Sequence, residues 1–98
     1  MIEHIKDSDH CTIYGWMLKL GLDYRRLMIF AQIYGFTKAK GMFFYRREWL
    51  AEWADCSPEE MDMAIGSLIY DGLVKRQEVE TSYGKTWVLE AELREEDL

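Results

Sequence analysis

The stretch from Trp49 to Leu73, WLAEWADCSPEEMDMAIGSLIYDGL, decides the fold that this chain is expected to take. It predicts two helices joined by a tight turn at residues 55–56. Ser57, with Pro58 directly after it and Glu60 three residues on, is typical of a helix start closed by a capping box. The apolar residues that follow recur every three or four positions, which predicts one stripe of the second helix against a core, formed by Met61, Ala64, Ile65, Leu68 and Leu73.

The opposite face of the second helix carries acids and no lysine or arginine. A helix that reads base edges in the major groove usually presents Arg, Lys, Asn or Gln from its first half. The arrangement of two helices and a turn therefore favours DNA binding, whereas the charge of the second helix disfavours it. The face consists of Pro58, Glu59, Asp62, Met63, Gly66, Ser67 and Tyr70.

The size and composition of the chain predict one domain, residues 1–98. Its 98 residues are 49% hydrophobic, which is enough to bury one core. The net charge is −6, whereas free-standing nucleic-acid binders usually carry an excess of bases.

The cysteines and the apolar stretches predict a soluble, cytoplasmic protein. Cys11 and Cys56 are expected to be reduced thiols, because a chain this apolar needs no disulfide and begins with no signal peptide. The longest apolar stretch, residues 27–36, falls far short of the roughly 20 residues that a membrane-spanning helix needs.

The charge is polarised along the middle of the chain. Residues 19–47 hold seven bases and one acid, a net charge of +6, and residues 48–73 hold seven acids and no base, a net charge of −7. Such polarity suits head-to-tail or two-fold association with a complementary copy. Exposed apolar anchors for that association would be Met63, Tyr70, Tyr83 and Trp87.

Before the motif, the sequence predicts a flexible arm over residues 1–13, with a short extended piece at 11–14, and then a helical turn at 15–20. Asp23 is expected to cap a central buried helix that Gly35 ends near Tyr34. Residues 38–41 are predicted to be a loop and residues 42–44 to be extended. The first helix of the motif should span residues 47–53, with Trp49 and Trp53 on its core side, and Trp16 is expected in the core too.

After the motif the hydrophobic period changes from 3.6 to nearly 2, which predicts a β-hairpin. Gly72 ends the second helix, the turn lies at residues 81–84, and Trp87 either packs under the hairpin or stays exposed. Residues 90–98 form an acidic tail, either a short helix or disordered. A helix-turn-helix followed by a hairpin is the plan of a winged helix, so the predicted fold is mainly α with a small β-hairpin.

Residues 14–75 resemble the small winged-helix domains at the front of replication-initiation proteins of bacterial phages and mobile elements. The resemblance is carried by GWMLKLGL (15–22), FAQIYGF (30–36), YRREWLAEWADCS (45–57) and MDMAIGSLIYDGLV (61–74). It implies a domain that binds double-stranded DNA or helps to assemble replication proteins on it, acting in replication initiation or transcriptional regulation.

Two departures fall on positions that the resemblance would make functional. Glu60 and Met63 stand where the family tends to have a threonine and an arginine, which weakens inherited base readout. Tyr45 and Arg46 stand where it tends to have Gly-Ser, which adds a base for phosphate contact.

Two sets of residues are candidates for contact with DNA. The groove-facing set on the second helix is Ser57, Glu59, Glu60, Asp62, Met63 and Ser67. The alternative for its acids is that they only satisfy the positive end of the helix dipole. The phosphate-contacting set flanks the motif and consists of Lys38, Lys40, Arg46, Arg47, Lys75, Arg76 and Lys85.

The phosphate-contacting set also has an alternative interpretation, in which its two arginines belong to a surface network of ion pairs. Arg46 and Arg47 would then pair with Glu48, Glu52 or Glu59. A second alternative for the whole domain is protein–protein interaction or dimerisation with little or no DNA binding. The partners are therefore double-stranded DNA, a second copy or another replication protein.

Catalytic and metal-binding patterns are not apparent in the sequence. His4, His10, Cys11 and Cys56 have no CxxC or HxxxH spacing that would join them into a zinc site, and no glycine-rich phosphate loop is present. We expect no enzyme, no cofactor and no small-molecule substrate.

Overall fold

A computed structural model of the chain describes residues 10–97, which form three α-helices and a three-stranded antiparallel sheet. Short 3-10 helices lie at Gly15–Lys19 and Glu95–Asp97. Most of the predicted arm, residues 1–9, lies outside the described residues, and residues 10–14 form no strand. The elements are α1 (Tyr24–Lys40), β1 (Phe43–Phe44), α2 (Arg47–Trp53), α3 (Pro58–Tyr70), β2 (Val74–Thr81) and β3 (Gly84–Ala91).

Helix α1 extends six residues beyond its predicted end at Tyr34, which is more than one and a half turns. It begins as expected, because Asp23 Oδ1 accepts a hydrogen bond from the Arg26 N–H at 2.9 Å. The prediction that Gly35 ends it is wrong: the helix continues to Gly41, whose φ of +86° suits a glycine C-cap. Packing of the inner side overrides the roughly 1 kcal/mol that an interior glycine costs.

The extension of α1 also corrects the predicted loop at residues 38–41. Lys38 and Lys40 lie in the last turn of the helix, where bases interact favourably with the negative end of the helix dipole.

The α2–turn–α3 segment is confirmed. Asp55 makes the turn with a φ of +56°, and α3 starts at Pro58. Ser57 Oγ accepts from the Glu60 N–H at 3.1 Å, and the Ser57 N–H donates to Glu60 Oε1 at 3.0 Å, so the predicted capping box is present.

The sheet has the strand order β1-β3-β2 and contains the predicted hairpin. At its tip Thr81 Oγ1 donates to the Gly84 carbonyl at 2.8 Å and accepts from the Tyr83 N–H at 3.1 Å. The sheet is larger than the predicted small hairpin, because β1 pairs through Phe43 and Phe44 with β3 as a third strand.

The core lies between the three helices and one face of the sheet. Register places Val74 opposite Ala91 and Phe43 opposite Leu89, and all four are buried. The fully buried large residues of the helices pack onto them: Ile29, Phe30, Ile33, Tyr34, Leu50, Met61 and Leu68. The tryptophans predicted to be core, Trp16, Trp49 and Trp53, are partly buried and pack against this cluster.

The beginning of the predicted acidic tail is attached to the domain. Glu90 and Ala91 complete β3, and the Ala91 N–H donates to Thr37 Oγ1 of α1 at 3.1 Å. The Arg94 N–H donates to the buried Tyr34 hydroxyl at 3.0 Å. Residues 90–94 therefore run along α1, and a 3-10 helix follows them.

Candidate interaction site

The outward face of α3 combines exposed apolar side chains with acids. Met63 and Tyr70, seven residues apart on one side of the helix, are 76% and 92% exposed. Gly66 lies between them and is also exposed. Because glycine has no side chain, the side chains of Met63 and Tyr70 project beyond the helix surface between them.

Two serines of the predicted groove-facing set are engaged within the chain. Ser57 caps α3. Ser67 Oγ accepts a hydrogen bond from Arg26 Nη1 at 2.7 Å, and Arg26 belongs to α1. Neither hydroxyl projects freely from the face of α3.

The acids of α3 are paired with arginines from elsewhere in the chain. Arg47 Nε lies 2.9 Å from Asp62 Oδ2, and its Nη2 lies 3.9 Å from Glu59 Oε1. Arg25 Nη1 lies 3.3 Å from Glu60 Oε2. The negative charge of the helix is therefore largely offset by side chains that belong to the same domain.

The same pairing continues at the other end of α3. Arg26 Nη1 lies 3.8 Å from the carboxylate of Asp71, the C-cap of the helix, and Arg26 also contacts Asp23 at 3.2 Å. Arginines from the first turn of α1 thus contact both ends of α3.

Hydrogen bonds and burial set the charge states of two groups at this site. The Ser57 backbone N–H lowers the pKa of Glu60, which keeps this carboxylate ionised opposite Arg25. Partial burial, and next the hydrogen bond that its hydroxyl donates to Asp62 at 3.0 Å, raise the pKa of Tyr45 well above its ordinary value. Tyr45 therefore remains a neutral donor to Asp62.

Arg25 and Arg26 are the participants that the sequence interpretation missed. Both lie in the first turn of α1, where the positive end of the helix dipole disfavours bases. Two adjacent arginines in the first turn after an N-cap were a signal that acids from another element could lie nearby.

Of the predicted phosphate-contacting residues, Lys40 and Arg46 line one groove at the end of α1, and the others lie in separate places. Lys75 pairs with Glu90 and Lys85 with Glu78 across the hairpin, both at 3.6 Å. Arg47 pairs with acids of α3, as the ion-pair alternative predicted. Arg46 forms no ion pair with Glu48, Glu52 or Glu59. Three others contact aromatic rings: the Arg76 guanidinium lies over Trp87 at 4.5 Å, Arg46 over Trp49 at 5.0 Å and Lys38 over Tyr14 at 5.2 Å.

A groove of about 500 Å³ runs between the start of α1 and the side of α3. Its apolar lining comes from Tyr24, Met63 and Ala64, and its charged lining includes the Arg25–Glu60 pair. Tyr24 is 73% exposed, and its ring borders the groove on the α1 side. The Met63 side chain borders the groove on the α3 side.

The described residues offer little for metal binding or nucleophilic catalysis. Within residues 10–97 no three His, Cys, Asp or Glu side chains come together as metal ligands, and His4 lies outside that range. Cys11 and Cys56 are free thiols, and burial raises the pKa of both. Neither has the depressed pKa of an activated cysteine nucleophile. No helix in the described part of the chain is long and apolar enough to cross a membrane.

Comparison with known proteins gives no match: no protein-family model fits the chain, and no curated protein or solved structure is significantly similar to it.

Proposed function

We propose that this chain is a winged-helix domain that acts in replication initiation or transcriptional regulation of a phage or mobile element, and that it works by protein association through α3. The element order α1-β1-α2-α3-β2-β3, with β1 paired to the last strand of the hairpin, supports the winged-helix assignment. The replication role rests on the resemblance of residues 14–75, and the expected compartment is the cytoplasm.

The internal pairing of the α3 acids is the observation that carries the association proposal. An acidic helix without partners would need a basic target, whereas Glu60, Asp62 and Asp71 already lie beside arginines of the same chain. A locally neutral face with projecting Met63 and Tyr70 suits a protein partner. The same face offers a DNA major groove no free donor of the kind that reads bases.

A second copy of this chain is the partner that the surface fits best. A two-fold interface requires one patch that is complementary to itself. Here the exposed Met63 borders the groove that Tyr24 and Ala64 line together with charged residues, and Tyr70 projects from the same side of α3, so protrusion and recess lie close together.

Sedimentation equilibrium tests this association. At about 0.3 mM protein, we expect a mass of twice the 11.7 kDa chain for the wild type and of one chain for the Met63→Ser/Tyr70→Ser double variant. Tyr83→Ser is the matched control, because Tyr83 is also almost fully exposed but lies at the hairpin tip. A wild type that remains a single chain at this concentration contradicts the proposal.

Double-stranded DNA binding is the second candidate function. It is favoured by the two arginines that lie over tryptophan rings. Arg46 and Arg76 make no ion pair with any described carboxylate, so their guanidinium groups keep charge for phosphates. Binding through two to four phosphates predicts that the logarithm of affinity falls by about 0.9 per contact for each tenfold rise in salt. A duplex that fails to bind at about 50 mM salt removes this candidate.

A further inference from the structure

A second groove, of about 510 Å³, lies on the domain where α1 ends and β1 begins. Among the described residues, its lining is apolar and basic and contains no acid: Phe36, Lys40, Met42, Phe43, Phe44 and Arg46. The groove beside α3 differs, because Asp23 and Glu60 contribute to its lining.

The two bases of this groove keep their charge for an external ligand. Arg25, Arg26 and Arg47 are paired with carboxylates, but neither Lys40 nor Arg46 forms an ion pair within residues 10–97. Arg46 is also held in place, since its guanidinium lies over the Trp49 ring at 5.0 Å. On a chain with a net charge of −6, this is a local concentration of uncompensated positive charge.

The same groove is also lined by aromatic rings. Phe44 is 50% exposed, although it is a large apolar side chain at the edge of the sheet. The rings of Phe36 and Phe43, which also line the groove, are 5.0 Å apart, and Phe43 is itself 6.4 Å from Trp49. The Phe36 and Phe43 rings therefore form a packed aromatic part of the groove lining.

Uncompensated bases and an exposed aromatic ring in one groove are the combination that holds single-stranded nucleic acid, through phosphate contacts and base stacking. A duplex cannot use Phe44, because its bases are stacked inside the helix. An acidic peptide that adds a strand to the sheet would find only the two residues of β1 to pair with, which gives few main-chain hydrogen bonds.

We propose that the groove at the α1–β1 junction binds a short stretch of single-stranded nucleic acid, with one base stacked on Phe44 and the flanking phosphates contacted by Lys40 and Arg46. This site lies apart from the α3 face and does not depend on the proposed self-association. Affinity should be modest, because only two phosphates are neutralised.

Fluorescence anisotropy with a labelled ten-nucleotide oligothymidylate at about 20 mM salt tests the proposal. We expect saturable binding whose logarithm of affinity falls by about 1.4 for each tenfold rise in salt, at about 0.7 for each of two phosphates. Lys40→Gln/Arg46→Gln should weaken binding on the order of tenfold and flatten the salt dependence. The matched control Lys75→Gln/Lys85→Gln removes the same charge from the hairpin and should leave both unchanged.

The ring itself is tested by Phe44→Leu, which keeps an apolar side chain and so preserves folding. Loss of one stacked base predicts about 5- to 150-fold weaker binding. Poly-glutamate should displace the oligonucleotide less effectively than unlabelled oligothymidylate does at the same concentration of charge, because it offers charge without a base. Absent binding, equal effects of the two double variants, an unaffected Phe44→Leu or equally effective displacement by poly-glutamate each overturns the proposal. Met63→Ser/Tyr70→Ser should bind as the wild type does, which separates this site from the α3 face.

Discussion

The ion pair between Arg47 and Asp62 should contribute measurably to folding, and a double-mutant cycle can isolate it. Arg47→Met removes the charge and keeps an apolar stem, while Asp62→Asn removes the other charge and leaves an oxygen for Tyr45. Because Arg47 also lies 3.9 Å from Glu48 and Glu59, its single variant reports the whole network. Only the coupling between the two substitutions reports the pair.

The geometry sets the expected size of that coupling. The Nε–Oδ2 distance of 2.9 Å is that of a charge-assisted hydrogen bond, which is the stronger class. Both side chains are more than a third exposed, so solvent screens the pair, and exposed pairs typically contribute about 0.2–1 kcal/mol. We expect the upper half of that range, about 0.5–1 kcal/mol.

Urea unfolding of the wild type, both single variants and the double variant measures the coupling. A coupling of this size moves the urea midpoint by roughly 0.2–1 M for a small domain. Repeating the cycle in 1 M salt should reduce the coupling, because the pair is exposed. A coupling near zero at low salt would refute the reasoning, since Arg47 would then be available to DNA and the α3 acids would be uncompensated.

Three further predictions concern stability and reactivity. Gly35→Ala should stabilise the domain by about 0.5–1 kcal/mol, since Gly35 is exposed inside α1 with open space around it. Gly41→Ala should destabilise it by about 1–2 kcal/mol, because Gly41 has a positive φ. Thermal melts in which the Gly41 variant is the more stable of the two contradict the observed end of α1. The hydrogen bond from the Arg26 N–H lowers the pKa of Asp23, so the stability from this cap is complete above the ordinary aspartate pKa near 4 and is lost as the pH falls through the lower pKa of the folded state. Asp23→Asn should therefore flatten the dependence of the urea midpoint on pH between about 6 and 2.5. An unchanged slope counts against the cap. Burial raises the pKa of Cys56, so iodoacetamide at neutral pH should alkylate it more slowly in the folded chain than in urea, and equal rates would show that the thiol is not protected.

The local chemistry of the chain was sufficient to predict where most elements begin. Ser57, Pro58 and Glu60 specify a helix start through bonds within four residues, and Asp23 does the same for α1. The change of hydrophobic period after Gly72 likewise predicted the hairpin, because alternation along a strand is a local property.

What the sequence did not predict depends on contacts between distant residues. Gly35 is a helix stop by propensity, but α1 continues because its inner side is buried and Thr37 hydrogen-bonds to the end of β3. The carboxylates of α3 that pair with Arg25 and Arg26, Glu60 and Asp71, lie 35 and 45 residues along the chain, and no spacing rule relates positions that far apart. The third strand was likewise hidden, because β1 is only two residues long.

Pairing between the two oppositely charged middle segments also offsets positions that are unfavourable with respect to the helix dipoles. Arg25 and Arg26 lie at the positive end of α1, and Asp71 lies at the negative end of α3, so all three are disfavoured by their own helices. The fold brings Arg25 to Glu60 and Arg26 to Asp71, and each pairing therefore offsets an unfavourable placement.

Varying the salt concentration should distinguish the proposed self-association from the proposed nucleic-acid binding. Apolar contacts between copies through Met63 and Tyr70 should persist or strengthen as salt rises, because salt screens charges and does not weaken apolar burial. Nucleic-acid binding at Lys40 and Arg46 should disappear over the same range, since it depends on released counterions. A domain whose association and nucleic-acid binding were lost together as salt rose would have one electrostatic surface, and the assignment of two separate faces would then be wrong.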